Sequence, residues 1–247
     1  MGAALRRTRL FADAPPEATE RLVRVSTLNT YRDGERIVSH GDPGFGLMVI
    51  ADGCVVTSRT NAEGKRLIFD LAQPGQVMGS FAAFDGQPSP LDNHARGDTR
   101  LVVMPYDAFV AAVRAFPDLA ISLIAMHTRR NRVDFERMMT ALDPMRVRVA
   151  KVLLYLSRGP DFAQGPIDLP VRMSQDDIAG ILGVTRSSVN KELVSLAERG
   201  IITWHYSHVV VNDVTALASI AYDGAALSDD LARAIFARSH DLYRTTD

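Results

Sequence analysis

Residues 185–191 read TRSSVNK and bring a guanidinium, three hydroxyls, a carboxamide and an ammonium within two helical turns. A 3.6-residue period sets Arg186, Ser187, Asn190 and Lys191 on one side of such a helix. The chemistry this set can do is recognition rather than bond-making. Arginine offers a planar fork of donors that matches guanine O6 and N7, and Arg186 is best placed for it. Asn190 can read adenine or bind a phosphate. Ser174, Thr185 and Ser188 are phosphate-contact candidates, by hydroxyl or by helix-terminal N–H.

Two helices must hold that set. Ser174 caps the first, with Asp177 three residues on in a variant of the capping box. Ile178, Ala179 and Leu182 form its inner face, and Ala179 is small where a second helix must approach. Gly183 supplies a sharp turn, and Thr185 caps the second helix, whose Val189, Leu193 and Leu196 face inward. The polar set then lies on the first turn and a half of the second helix, the part that reaches base edges when such a helix enters the major groove. The run IITWHYSHVVVND after Gly200 reads as a hairpin, hence a wing. Residues 144–212 hold eight basic and six acidic side chains, a local +2 in a chain whose net charge is −1.

The rest of the chain reads as a different unit. Residues 15–28 predict a helix with Leu22, Val25 and Leu28 on one face. From Tyr31 to Pro105, short apolar runs separated by DGE, GDPGFG, NAEG, QPGQ and DGQP turns predict an antiparallel sandwich or barrel. Residues 118–142 carry no Gly or Pro and predict a helix of about 37 Å. Leu119, Leu123, Met126, Val133 and Met138 line one side, and apolar residues on further faces call for a partner, most simply a second copy. Asp143-Pro144 ends that helix and starts the next, Asp as cap and Pro in the first turn, with Val149, Val152, Leu153 and Leu156 inward.

Composition narrows the function classes. The chain has 247 residues, 47% hydrophobic and 23% charged, an ordinary globular profile. Its one cysteine, Cys54, excludes an intramolecular disulfide framework and a cluster ligated by several thiolates, and reads as a small buried hydrophobe. No apolar run reaches the ~20 residues of a membrane span. No long apolar h-region marks a signal peptide, so a cytoplasmic protein is expected. His40, His94, His127, His205, His208 and His240 are scattered; only His205 and His208 sit close, with no acidic or Cys residue flanking them, so no metal or cofactor is expected. No Ser-His-Asp order, paired carboxylates or P-loop emerges, which leaves no basis for an enzyme.

GERIVSHGDPGFGLMVIADGCV, MGSFAAFDG, TRRNRV and DDIAGILGVTRSSVNKEL, in that order, resemble the cyclic-AMP receptor protein/FNR family of bacterial transcription regulators over residues 10–215. The resemblance implies an α+β protein with a β jelly-roll, cyclic-nucleotide-binding-like sensor, a long dimerisation helix and a C-terminal winged helix-turn-helix. On this reading residues 1–117 are the sensor, 118–143 the dimer helix and hinge, 144–215 the DNA-binding domain and 216–247 a helical extension. That extension holds a candidate helix, DLARAIFARSHDLYR, capped by Ser228-Asp229. The resemblance further implies a homodimer on pseudo-palindromic double-stranded DNA, contact with RNA polymerase, and no membrane.

The family's phosphate-binding cassette departs from its pattern here. Gly79 remains, but Ser80 replaces the Glu that holds the ribose and Phe81 the following Leu, while the phosphate-binding Arg-Ser pair falls on Ser89 and Pro90. The Thr-Ser pair that meets the adenine falls on Asp134 and Phe135. His94 and Arg96 are the substitute cations in reach along the sequence. The expectation is a sensor that is ligand-independent or answers another effector, the alternative being a cyclic nucleotide held by non-standard residues. With the family's helix register, Leu123, Met126, His127 and Asn131 are the seam candidates, and the absence of a carboxylate at Ser187 implies a different half-site from the receptor protein's own.

Overall fold

A computed structural model describes residues 1–12, 14–157, 166–169, 171–205 and 207–222. They divide into two units, 1–61 with 69–130, and 62–68 with 131–222. In the first unit α1 (Gly2–Arg6), α2 (Arg9–Ala12) and α3 (Pro16–Val25) precede the sheet. Pro16 occupies the first turn of α3, where a missing N–H leaves no hydrogen bond unmade. The helix stops at Val25, three residues short of expectation, and Leu28 joins β1 (Thr27–Tyr31) as an exposed side chain.

The antiparallel sheet is as expected. β2 (Arg36–Val38), β3 (Leu47–Thr60), β4 (Arg66–Ala72), β5 (Val77–Met78) and β6 (Asp92–Met104) complete it in the order β1-β6-β3-β4, with β2 on β6 and β5 on β3. The central pair, β3 and β6, runs antiparallel with Leu47 opposite Met104 and Ile50 opposite Leu101. Period-two alternation sends successive residues to opposite faces. Leu47, Val49, Val102 and Met104 pack with Leu5, Leu10, Phe11 and Leu22 from the N-terminal helices. Met48, Ile50, Leu101 and Val103 pack with Ile37, Val38, Val55, Ala72 and Ala95 on the other side. Both faces are covered, which is why LMVI is an unbroken apolar run rather than an alternating one.

Between β5 and β6 lies α4 (Ser80–Asp85), a short helix in the glycine-bounded stretch. After β6, α5 (Tyr106–Ala115) and α6 (Pro117–Thr140) follow. Phe109, Ala112, Leu119 and Leu123 join the cluster that holds the N-terminal helices, with Met126 packed against it.

In the second unit α7 (Met145–Leu156) buries Val149, Val152, Leu153 and Leu156, as its periodicity predicts. Asp143 is not its cap: Pro144 takes the N-cap position, and the Asp143 carboxylate accepts from Lys151 Nζ at 2.7 Å. Next come β7 (Ile167–Asp168), α8 (Gln175–Leu182), α9 (Arg186–Glu198), β8 (Ile202–His205), β9 (His208–Val211) and α10 (Val214–Ala221). Asp213 caps α10, which buries Val214, Leu217, Ala218 and Ala221 and packs on α7. The boundary expected at 215/216 therefore falls inside a helix of this unit. The further helix expected in DLARAIFARSHDLYR lies outside the described residues.

Candidate nucleic-acid interface and sensor cassette

The start of α8 is a reciprocal capping box. Ser174 Oγ accepts from Asp177 N, and the Asp177 carboxylate accepts from Ser174 N at 2.9 Å. The same hydroxyl donates to Asp177 Oδ2 at 2.8 Å. Its one proton is thus engaged in the cap. Gly183 takes φ +65°, in the left-handed region that a side chain disfavours, and turns the chain from α8 into α9. Ile178 and Ala179 are buried, whereas Leu182 is only half-buried and its carbonyl accepts from Arg148 Nη2 at 2.6 Å.

Thr185 caps α9, accepting from Ser188 N at 3.3 Å, and its hydroxyl meets those of Ser187 at 3.0 Å and Ser188 at 2.8 Å. Val189, Leu193 and Leu196 are buried beneath the helix. Arg186, Ser187, Asn190 and Lys191 are exposed on it, as their spacing predicts. Gln175, at the first position of α8, is a residue the sequence reading missed. Its Oε1 accepts from Arg186 Nε at 3.1 Å and its Nε2 donates to Asn190 Oδ1 at 2.7 Å. Arg186 Nη1 lies 3.6 Å from the Asp176 carboxylate, an exposed pair of small energetic weight.

β8 and β9 form the expected hairpin, with Trp204 opposite Val209 and His205 opposite His208. β7 adds a third strand on β9. It also brings Asp168 to His208, whose Nε2 lies 2.7 Å and 2.9 Å from the two carboxylate oxygens. The acidic partner absent from the flanking sequence arrives from 40 residues away.

The cassette lies in the first unit. Gly79 has φ +79°, and a Cβ there would meet the Gly46 carbonyl at 2.7 Å, so no other residue fits without a shift. The Tyr106 ring lies beneath this crossing; burial pushes its phenol pKa up, opposed by a hydrogen bond with the Gly46 backbone. Ser80 is 6% exposed, and its Oγ lies 3.1 Å from His127 Nε2 on α6. The Phe81 ring sits 5.8 Å from the His127 ring. Burial pushes the His127 pKa below its ordinary value, favouring the neutral imidazole.

At the position of the family's Arg-Ser pair, backbone and side-chain hydrogen bonds are made within the chain. Ser89 N donates to Asp42 O and Ser89 O accepts from Gly41 N, both at 2.8 Å. Ser89 Oγ donates to Leu91 O at 2.8 Å, and Pro90 O accepts from Arg59 Nη1 at 2.9 Å. Asn93 and Ala95 are buried, so alternation turns His94 and Arg96 to the opposite face of β6. Asp134, half-buried, and Phe135, exposed, fall in the second unit.

Of the four seam candidates, three have contacts within their own chain. Leu123, 7% exposed, and Met126 pack on the sensor core, and His127 meets Ser80. Asn131 is exposed. The apolar side chains that stand exposed along and just past α6 are Ile121, Ile124, Phe135, Met138, Met139 and Leu142, at 61% to 80%.

Known proteins match both units. The cyclic nucleotide-binding domain family matches residues 28–116 and the Crp-like helix-turn-helix domain family residues 147–220. The cyclic AMP receptor protein of Thermus thermophilus is 28% identical over 214 residues, 86% of this chain and 96% of its own length. A CRP-like cAMP-activated global transcriptional regulator of Mycobacterium tuberculosis is 26% identical over 88% of this chain and 98% of its own. Among solved structures, FixK2 from Bradyrhizobium japonicum is 26% identical with TM-score 0.69, over 79% of this chain and 97% of that one. A CRP/FNR-family transcriptional regulator from Thermus thermophilus is 26% identical with TM-score 0.61, over 79% of this chain and 98% of that one. A sensor-domain match on one unit, a helix-turn-helix match on the other and relatives aligned along nearly their whole length thus agree, and the chain belongs to the CRP/FNR family of transcription regulators.

Proposed function

We propose that the protein is a homodimeric, sequence-specific regulator that binds a pseudo-palindromic operator without needing cyclic AMP. The carrying observation is the Ser80–His127 contact. Where relatives of this family keep a carboxylate for a nucleotide ribose, this chain has a hydroxyl already engaged by its own α6. The committed Ser89 and Pro90 backbone supports the same reading, since losing a charge-assisted phosphate contact removes about 1.5–3 kcal/mol.

Dimerisation rests on the spacing of the exposed residues. Ile121, Ile124, Thr128, Asn131, Phe135, Met138 and Leu142 recur at alternating steps of three and four, a heptad seam with two polar positions at its middle. Contact with RNA polymerase and a cytoplasmic location belong to the same reading.

The test is DNA affinity of the ligand-free dimer at one fixed salt, with and without cyclic AMP. The probe is the region upstream of its own gene, with scrambled DNA as control. Specific binding indifferent to cyclic AMP is expected. Binding that appears only with cyclic AMP overturns the reading and favours a nucleotide held by other residues. Arg59, whose guanidinium reaches the Pro90 carbonyl, is the cation nearest at hand for that second reading.

A further inference from the structure

We infer that Gln175 is a positioning residue that sets which bases the recognition helix accepts; this rests on the proposal that Arg186 and Asn190 face DNA. An arginine side chain has donors only. The atom of Gln175 that meets Arg186 Nε must therefore be its carbonyl oxygen, and the structure has it so, at 3.1 Å. That fixes the Gln175 amide, leaving Nε2 to face Asn190. A carboxamide nitrogen can only donate, so the atom of Asn190 that receives it must be Oδ1, at 2.7 Å. One donor-only group thus fixes the orientation of two amides in series.

The consequence for readout is definite. Bidentate recognition of adenine needs both ends of an asparagine amide, Oδ1 for N6–H and Nδ2 for N7. With Oδ1 turned toward Gln175, Asn190 points Nδ2, a donor, at the bases; it matches the acceptors of guanine, thymine or adenine N7, and cytosine, which shows only a donor, is excluded. Arg186 has its Nε engaged, so it meets guanine end-on through its two terminal nitrogens. Asp176 does not close that approach, because its carboxylate is 3.6 Å from Nη1 in an exposed pair.

The test uses the full-length protein and a random-sequence duplex library, enriched separately by wild type, Gln175→Ala and Gln175→Glu. Wild type is expected to select guanine at the Arg186 position, and to reject cytosine at the Asn190 position while accepting guanine, thymine and adenine there. Gln175→Ala is expected to relax both positions, by about tenfold where a full base discrimination is lost. Affinity for scrambled duplex and the salt slope stay unchanged, since no charge is removed. Gln175→Glu keeps an acceptor for Arg186 but replaces the donor to Asn190 with an acceptor. The Asn190 amide then turns over to present Oδ1, and at that position alone cytosine becomes accepted while guanine and thymine, which offer no donor, are lost. A carboxylate at the first turn of a helix is favourable, so this variant folds.

Unchanged base preferences in both Gln175 variants, with Arg186→Ala still losing specific binding, overturn the inference and leave the DNA reading standing. A uniform loss of affinity across all sequences in Gln175→Ala overturns it in favour of a direct phosphate contact. Specific binding that survives Arg186→Ala brings down the DNA reading itself, and this inference with it.

Discussion

Arg186 carries most of the discrimination on this reading. Its replacement by alanine is expected to lower specific DNA affinity by about 1–3 kcal/mol, while binding to scrambled duplex falls only through one lost charge; titration of both probes at one salt checks this. His127 is a second single residue with a measurable signature. Burial lowers its pKa in the fold, so the unfolded chain binds the proton more readily and stability rises with pH through this group. The contribution is complete above about pH 6.5 and is lost as pH falls from there toward the lowered value in the fold. Thermal melts should show a fall in midpoint between about pH 7 and pH 5 that is smaller in His127→Gln. An equal fall in that variant would place the acid sensitivity elsewhere.

At the scale of elements, α6 carries two apolar faces with different destinations. Leu119 and Leu123 are buried against the sensor core, whereas Ile124 and Met138 stand exposed. Leu123→Ala should therefore destabilise the sensor by about 2–5 kcal/mol in urea unfolding. Ile124→Glu with Met138→Glu should leave the fold intact and convert the dimer to monomer by sedimentation. The sequence shows that more than one face is apolar, but not which face meets its own sheet, because that depends on packing against Phe11 and Phe109 far along the chain. The helix-turn-helix was legible because its determinants are local: Ser174, Asp177, Gly183 and Thr185 act within a dozen residues. Non-local pairs were not: Ser80 with His127 and Asp168 with His208 are 47 and 40 residues apart. α1 and α2, five and four residues long, are too short to show a period.

For the whole molecule, the proposed two-fold dimer would bring two α9 helices to one duplex. Protected half-sites should then lie one helical turn, about 10 base pairs, or a multiple of it apart in a footprint. A single protected half-site would contradict the dimeric reading. A ligand that binds only the folded state raises its melting temperature in proportion to the logarithm of its concentration. Cyclic AMP at millimolar concentration is expected to leave the melt unmoved. A concentration-dependent rise would show that the cassette still holds a nucleotide despite Ser80.

The three-stranded wing sheet also contains the chain's single tryptophan, Trp204, half-buried opposite Val209. Ultraviolet emission excited at the red edge of protein absorbance therefore comes from one place only. A spectral shift on adding operator would time the arrival of the wing at DNA, without any attached dye. Events confined to the sensor would pass unseen by the same detector, so the wild-type protein already carries a clock for one of its two units.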